Sequence, residues 1–564
     1  FYQDLTSGKI TQITTDGQKN SIINGLGDWV YEEEFSHADY YQWNKAGDAI
    51  VFVKFDESAV PEIYIPIYGK SLYPTEMRYK YPKAGETNST VTANLYQLNS
   101  AKTTALNLGS FENHYIPQLW QTNDANEIVI ATSNRHHSKV DLIKVDTKSG
   151  NLTKLFSETD NAWIETDNLT MEFLDDNSFL WASERDGYRQ LYWYDKSGKL
   201  KKQIAKGNWE ITDYYGYNPK TKEAYIQTTE KGSLNKVVSK LNINSGKTTL
   251  ISYPEGNNSA SFSKSFNYFI NTNSTAASPY KFVLKDANGK EIKELQNNNE
   301  LLSKLQKDNF VTKEFITIPN SVGDQLNAWI IKPKNFDPNK KYPLFMFQYS
   351  GPGSQQVSNS WDGGNGIWFE MLAQKGYVVA CVDGRGTGFK GAKFKKATYK
   401  QLGKYEIEDQ ITAAKWFGNQ SYIDKSRIGI FGWSFGGYMT SLAMTKGADT
   451  FKLGIAVAPV TNWRYYDSIY TERFLQTPQE NPEGYDQNSP TTFANLLKGK
   501  FLLIHGTADD NVHFQNSMEF SEALIQNKKQ FDFMAYPDKN HGIYGGQTRP
   551  QLYEKMTNFI LENL

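Results

Sequence analysis

The run RIGIFGWSFGGYMTSLAM holds a serine at the centre of Gly432-Trp433-Ser434-Phe435-Gly436. A G-x-S-x-G between a strand and a helix is the sequence form of a nucleophile elbow. The turn is too tight for side chains at Gly432 and Gly436, and it lifts the Ser434 hydroxyl above the sheet edge at a helix N-terminus. A serine needs a base. Of the chain's 7 histidines, His505, His513 and His541 follow Ser434. His541 lies in DKNHGIYGG, a loop just ahead of the last helical stretch, where the base of such a set belongs. His505 ends the strand-like FLLIHG and reads as structural. His513 follows the candidate acids too closely to fold back onto them. The orienting acid should come after the preceding strand, in the order Ser, acid, His. There GTADDNVHF offers Asp509 and Asp510, and spacing does not separate them. In this scheme His541 takes the Ser434 proton and returns it to the leaving group, while the carboxylate fixes the imidazole tautomer and stabilises its charged form. The Phe435 backbone N–H and a second donor would hold the oxyanion. Such chemistry calls for no cofactor and no metal.

A second cluster, DWVYEEEF, crowds Glu32, Glu33 and Glu34 between aromatic residues. Taken alone it is a solvated acidic face. Tyr465, Tyr466 and Tyr470 at helical spacing would alone be core aromatics; beside Trp463 and the Ser434 motif they read as the walls of a ring-lined pocket. The single cysteine, Cys381 in YVVACVDG, reads as a small buried apolar residue. One cysteine allows no intrachain disulfide, so it says nothing about redox compartment.

Two kinds of element must position these groups. Up to about residue 305 the pattern is short strands split by turns. One turn recurs, around Gly8, Gly150, Gly198, Gly246 and Gly289, with a degenerate copy at Ala101. Most neighbouring copies are about 45–50 residues apart, the period of a four-stranded propeller blade. The runs IVFVKFD, EIVIATS, SFLWASE, EAYIQTT and NYFINTN form a second strand set ahead of the turns. A β-sandwich array is the alternative. The gap from Gly8 to Ala101 is about double, so it holds an extra blade or an insertion, and it contains DWVYEEEF. From about residue 310, YPLFMFQYSG, YVVACVDGRG, RIGIFGWS, KLGIAVAPV and KFLLIHGTAD are near-continuous apolar strands, as in a parallel sheet buried on both faces. Helical stretches such as EIEDQITAAKWFGNQ and QLYEKMTNFILENL alternate with them, giving a doubly wound α/β domain.

At 564 residues two or more domains are expected. Lys+Arg 61 against Asp+Glu 62 argues against a nucleic-acid partner or an anionic membrane surface, and there is no apolar run of 18 residues. FYQDLTSGKITQIT reads as strand, turn, strand without an initiator Met, so the numbering is expected to begin inside a domain. Asn-x-Ser/Thr sequons at Asn88, Asn151, Asn168, Asn257, Asn273 and Asn419 are a slight pointer to export.

DWVYEEE, YPKAG, GWSFGGY, VAPVTNWRYYDSIYTER and HGTADDNVHF together resemble the dipeptidyl peptidase IV family of the prolyl oligopeptidase superfamily, over nearly the whole chain. The resemblance implies an eight-bladed β-propeller capping an α/β-hydrolase, here residues 1–309 (N-terminally incomplete, with the Glu-motif insertion near 28–40) and 310–564. It places the acid on Asp509 and the second oxyanion donor, a tyrosine hydroxyl, on Tyr349. It places the proline pocket on Val460, Trp463, Tyr466, Tyr470 and Val512, and a substrate-carbonyl contact on Asn511. Glu33 and Glu34 become the anchor for a peptide's free α-ammonium, with Glu32 structural. Two carboxylates can accept an ammonium's three donors in a partly dehydrated cleft. The implied reaction is release of N-terminal Xaa-Pro, and Xaa-Ala, dipeptides by a serine exopeptidase. A homodimer formed through the hydrolase domain is implied too, as is a periplasmic, secreted or cell-surface location. Phe435 stands where the mammalian enzyme has Tyr, which leaves the backbone N–H unaffected. An arginine that assists Asn511 in the family is expected upstream of Phe1. The propeller disulfides of mammalian members are excluded here, which points to a bacterial relative. The rival readings are a prolyl tripeptidyl aminopeptidase, a prolyl endopeptidase that would leave the Glu pair without a role, and a non-catalytic propeller–hydrolase binding protein.

Overall fold

The computed structural model describes residues 1–109, 111, 114–308 and 310–564. The expected boundary between the two halves falls at residue 309, outside the described residues. Up to Gln296 the strands form antiparallel sheets in sequence order. Four sheets have four strands each, over residues 115–159, 171–203, 211–250 and 257–296. A five-stranded sheet joins Ile22–Asn24, Tyr41–Trp43, Ala49–Asp56, Thr90–Gln97 and Lys102–Ala105, and Tyr2–Gln3 pairs with Ile10–Thr11. These are propeller blades. The described strands do not enumerate the eight that the resemblance implies.

The recurring turn joins the third and fourth strands of a blade. Gly150, Gly198, Gly246 and Gly289 take φ of 77°, 85°, 73° and 84°, and Ala101 at the degenerate copy takes 49°. The conformation is only part of the reason for glycine. A Cβ on Gly198 would lie 2.2 Å from the Leu155 carbonyl oxygen of the preceding blade. Inter-blade packing therefore fixes the residue as firmly as the turn does. The doubled gap between Gly8 and Ala101 holds insertions, not an extra blade. One is the helix Trp29–Phe35; the other is a two-stranded ribbon, Glu62–Ile67 against Thr75–Lys80.

DWVYEEEF is thus a helix. Asp28 caps it, its Oδ1 accepting from the Tyr31 N–H at 3.0 Å. Val30, Tyr31 and Phe35 are buried, and the opposite face carries the glutamates. Tyr31 is edge-on to Phe35, Tyr40, Phe55 and Tyr115, which fastens the short helix to the blade beneath it.

The second half is an eight-stranded sheet covered by helices. Its order is Glu314–Pro319, Gln325–Ile331, Val378–Asp383, Tyr342–Phe347, Ile423–Trp433, Leu453–Val457, Lys500–Gly506 and Asp532–Tyr536. Gln325–Ile331 runs antiparallel to both its neighbours, and the remaining pairs are parallel. This is an α/β-hydrolase sheet. Five of its strands are the apolar runs of the sequence; the edge strands Glu314–Pro319 and Asp532–Tyr536 are partly exposed and lack such runs. Cys381 is buried in it. Asn88 is buried as well, its amide donating to His114 Nε2 and Tyr115 Oη at 3.0 Å each, so that sequon is closed to a glycan. Among the described residues no helix is long and apolar enough to cross a membrane.

The two halves are joined by charges removed from water. Glu472, fully buried in the helix Ser468–Leu475, accepts from Arg135 Nε at 2.5 Å, Arg135 Nη2 at 2.6 Å and the Gly85 N–H at 2.7 Å. Arg135→Ala would strand that carboxylate, at a cost of about 3–5 kcal/mol. The thermal midpoint is expected to fall in the single variant and to recover in part in Arg135→Ala/Glu472→Gln, which removes the stranded charge. Equal midpoints for both variants would contradict this account.

Candidate active site

Ser434 sits between the strand Ile423–Trp433 and the helix Phe435–Thr445, with φ 59° and ψ −119°. This strained conformation for a non-glycine residue is held because the surroundings over-determine it. The Ser434 N–H donates to the Val457 carbonyl at 2.9 Å. A Cβ on Gly432 would lie 2.3 Å from Gly436 backbone, and one on Gly436 would lie 2.5 Å from the Gln348 carbonyl oxygen. Both glycines are therefore steric requirements. Gln348 Nε2 donates to the Gly436 carbonyl at 2.7 Å, which binds the following residue, Tyr349, to the elbow. The Tyr349 ring lies 6.0 Å from that of Phe435, and its hydroxyl is close enough to Ser434 for the serine side chain to work toward lowering its pKa. Burial, then the Glu34 charge, raises its pKa, so it stays a protonated donor. The Phe435 N–H opens the helix, where the macrodipole favours negative charge.

The loop after Lys500–Gly506 carries the carboxylate. Asp509 Oδ2 accepts from His541 Nδ1 at 2.7 Å and from His505 Nε2 at 3.2 Å; Oδ1 accepts from the N–H groups of Asn511 at 3.1 Å and Val512 at 2.9 Å. Burial would raise this carboxyl. The His541 charge and the histidine hydrogen bonds outweigh burial and hold it well below the usual range. Burial lowers His541, but the Asp509 charge and hydrogen bond more than offset this, leaving it above the ordinary histidine value. Trp433 Nε1 donates to the His541 carbonyl at 3.0 Å, tying the histidine loop to the residue before the serine. Asp510, beside it, makes no such contact with His541; its backbone carbonyl accepts from the Tyr79 hydroxyl at 2.8 Å. The geometry thus separates two aspartates that spacing does not.

His513 turns away, its Nε2 2.8 Å from the Tyr79 hydroxyl, and burial pushes its pKa down to about 3. His505 does more than fill the core. Its Nε2 faces two acceptors, Asp509 Oδ2 and the Val512 carbonyl at 2.8 Å, so the proton belongs on Nε2 and Nδ1 accepts from Ser517 at 2.7 Å. Sequence reasoning missed this support. The available signal was the four-residue spacing from His505 to Asp509 in one strand-to-loop run.

The pocket residues come together. Trp463 and Tyr470 stack at 5.7 Å and 18°, Tyr466 meets both edge-on, and Phe435 lies 5.5 Å from Trp463. Val460 and Val512 are buried in the same cluster, with Tyr349 and Tyr470 packed against it. The helical spacing of the tyrosines is misleading. Trp463–Tyr465 is a 3-10 turn, Tyr466 is extended, and Tyr470 lies in the next helix. Tyr465 carries the Lys83 ammonium over its ring, away from this wall.

The glutamate helix closes the other side. Glu33 Oε1 accepts from Asn511 Nδ2 at 2.5 Å, and Asn511 Oδ1 accepts from the Tyr466 hydroxyl at 2.8 Å. One amide thereby connects the acidic helix, the aromatic wall and the loop of Asp509. Burial raises Glu33. Burial, then the neighbouring Asp467 charge, raises Glu34 further. Asp467 itself is pushed up to about 7, by burial first. Glu32 is exposed on the outer side of the helix.

Residues 1–280 match the dipeptidyl peptidase IV (DPP IV) N-terminal region and residues 367–564 the prolyl oligopeptidase family. The chain is 33% identical over 603 residues to "Probable dipeptidyl-aminopeptidase B" of Pyrenophora teres f. teres, covering 100% of this chain and 65% of that protein. It is 32% identical to "Probable dipeptidyl peptidase 4" of Aspergillus flavus, covering 96% and 73%. The crystal structure of Porphyromonas gingivalis dipeptidyl peptidase 4 superposes with a TM-score of 0.96 at 42% identity, over 100% of this chain and 80% of that one. The chain spans just under two-thirds of the length of several of the curated relatives it matches. It belongs to the dipeptidyl peptidase IV branch of the prolyl oligopeptidase family.

Ser434→Ala is expected to abolish labelling by a fluorophosphonate. Asp509→Asn should slow it by about three to four orders of magnitude, and Asp510→Asn far less. Because protonated His541 cannot accept the serine proton, labelling should fall as pH drops through a pKa above the ordinary value of about 6.5. Asp509→Asn should move that inflection down, since the Asp509 charge is what raises it. Equal effects of the two aspartate changes would refute the assignment.

Proposed function

We propose that this family member is a serine exopeptidase that releases Xaa-Pro, and Xaa-Ala, dipeptides from free N-termini. The observation that carries this reading is the bond between Glu33 and Asn511, which sets an acidic pair on the edge of the cleft that holds the Asp509–His541 couple. In this reading His541 Nε2 takes the Ser434 proton as the hydroxyl attacks the carbonyl of the penultimate residue. The Phe435 N–H and the Tyr349 hydroxyl bind the oxyanion. His541 then protonates the departing amine, and water repeats the sequence on the acyl-enzyme. Val460, Trp463, Tyr466, Tyr470 and Val512 enclose the pyrrolidine ring, whose fixed φ costs little ordering entropy. Asn511 holds the first peptide carbonyl, and Glu33 and Glu34 hold the α-ammonium. A blocked terminus would leave those carboxylates unpaired, which is costly. The names of the relatives agree with this reading.

A tripeptidyl aminopeptidase would use the same parts with a longer reach from anchor to serine. A non-catalytic binding protein would have no use for an ionised Asp509 on His541. We further propose two domains that meet near residue 309, a homodimer, and action outside the cytoplasm. Sedimentation velocity and cell fractionation test the last two.

Mass spectrometry of products from one Xaa-Pro-peptide, free and N-acetylated, distinguishes the readings. Dipeptide release from the free form alone is expected. Glu33→Gln and Glu34→Gln should each remove a charged hydrogen bond worth roughly 1.5–3 kcal/mol, or about tenfold to over a hundredfold in kcat/KM. Acetylated peptide should be no poorer a substrate for the variants than for the parent. Equal cleavage of free and acetylated peptide by the parent would return the glutamates to a solvated face.

A further inference from the structure

The ribbon Glu62–Lys80 departs from the blade and runs to the catalytic loops of the other half. At its tip, the Tyr68 and Gly69 N–H groups donate to Asp538 Oδ1 and Oδ2 at 2.8 Å each. Asp538 stands three residues before His541, in a left-handed conformation with φ 56°. Its own N–H donates to Thr507 Oγ1 at 2.9 Å, on the loop that carries Asp509. The histidine and acid loops are also laced directly, the Ala508 N–H donating to the Lys539 carbonyl at 3.0 Å. At its base, the ribbon's Tyr79 and the following Tyr81 donate their hydroxyls to the backbone carbonyls of Asp510 at 2.8 Å and Asn511 at 3.0 Å. The Tyr81 ring lies 4.3 Å from that of His513 and 4.7 Å from Trp29, the first residue of the glutamate helix. The next residues, in the YPKAG motif, continue along the pocket wall. The Ala84 N–H donates to the Tyr466 carbonyl, and the Pro82 carbonyl accepts from the Ser468 N–H, each at 2.9 Å.

One continuous segment, from Tyr68 to Ala84, therefore touches the histidine loop, the acid loop, the aromatic wall and the glutamate helix. We propose that this ribbon is a positioning device for the catalytic pair. Asp538 holds the histidine loop, and Tyr79 and Tyr81 hold the acid loop, so the His541–Asp509 contact is set from the propeller side. None of the three touches the reacting atoms in this assignment. They act through the loops. Asp538 suits the task because two fixed N–H groups match its two oxygens, and a short polar side chain tolerates positive φ.

The proposal rests on the Ser434–His541–Asp509 reading, so its test measures that set directly. The rate of Ser434 labelling by a fluorophosphonate would be followed against pH in the parent, Asp538→Ala, Asp538→Asn and Tyr79→Phe/Tyr81→Phe. Asp538→Ala and the double Phe variant are expected to label about tenfold more slowly. Their inflections should move down toward the ordinary histidine value as the His541–Asp509 contact loosens. Asp538→Asn keeps an acceptor and accommodates φ 56°, so it should retain most of the parent rate. A change that merely weakened the fold would slow labelling without moving the inflection. A parent that is not labelled at all would sink the triad reading itself. A labelled parent, with Asp538→Ala and the double Phe variant matching it in both rate and inflection, overturns the positioning role alone.

Discussion

An ionised carboxylate buried beneath the cleft, Asp509, sets the terms for everything around it. Burial alone would protonate it, and a protonated acid could neither fix the His541 tautomer nor support its positive charge. Four donors keep it ionised: two histidines and two backbone N–H groups. The loop must curl so that Asn511 and Val512 point back at Oδ1, and that curl is what brings the Asn511 amide up to Glu33. The requirement to solvate one charge with protein thus also places the group that meets the acidic helix.

Several other charges between the halves follow the same rule. Lys395 meets Glu165 at 2.7 Å and Glu184 at 2.5 Å; Lys396 meets Asp160 at 2.6 Å; Arg473 meets Asp167 at 3.1 Å. Charges withdrawn from water this far are worth little as net stability. They are costly to misplace, because one shifted partner strands the other. A seam built this way resists sliding. On the proposed reading the enzyme measures from a terminal ammonium to a scissile bond and needs that resistance, since its anchor and its nucleophile would lie on different halves and small misplacements cost rate.

Legibility in the sequence followed the locality of the cause. The serine elbow is a five-residue steric problem, and its glycines announce it. The five apolar strands are legible because two-sided burial leaves an unbroken run; the edge strands Glu314–Pro319 and Asp532–Tyr536 carry weaker patterns because neighbours cover them incompletely. The blade period is legible in its turns. Inside the doubled gap no turn marks the helix and the ribbon, so an extra blade and an insertion look alike. Asp509 and Asp510 differ only in which way a loop curls, which no spacing encodes. The resemblance chose between them, and the hydrogen bond to His541 gives the physical reason. The contacts of Tyr79, Tyr81 and Asp538 pair residues more than 400 positions apart and leave no local trace.

Selection of a charged amine, on the proposed reading, can be traced to the burial of the anchor. Burial raises both Glu34 and Asp467, and the Asp467 charge adds to the rise at Glu34. The Arg473 charge opposes that rise at both groups. An α-ammonium entering the cleft would offer Glu34 and Glu33 three donors and a full charge. A neutral amine would offer two donors and an acylated terminus one, and neither brings a charge, so neither offsets the cost of burying the carboxylates. On this reading the crowded glutamates discriminate through the charge of the group that meets them.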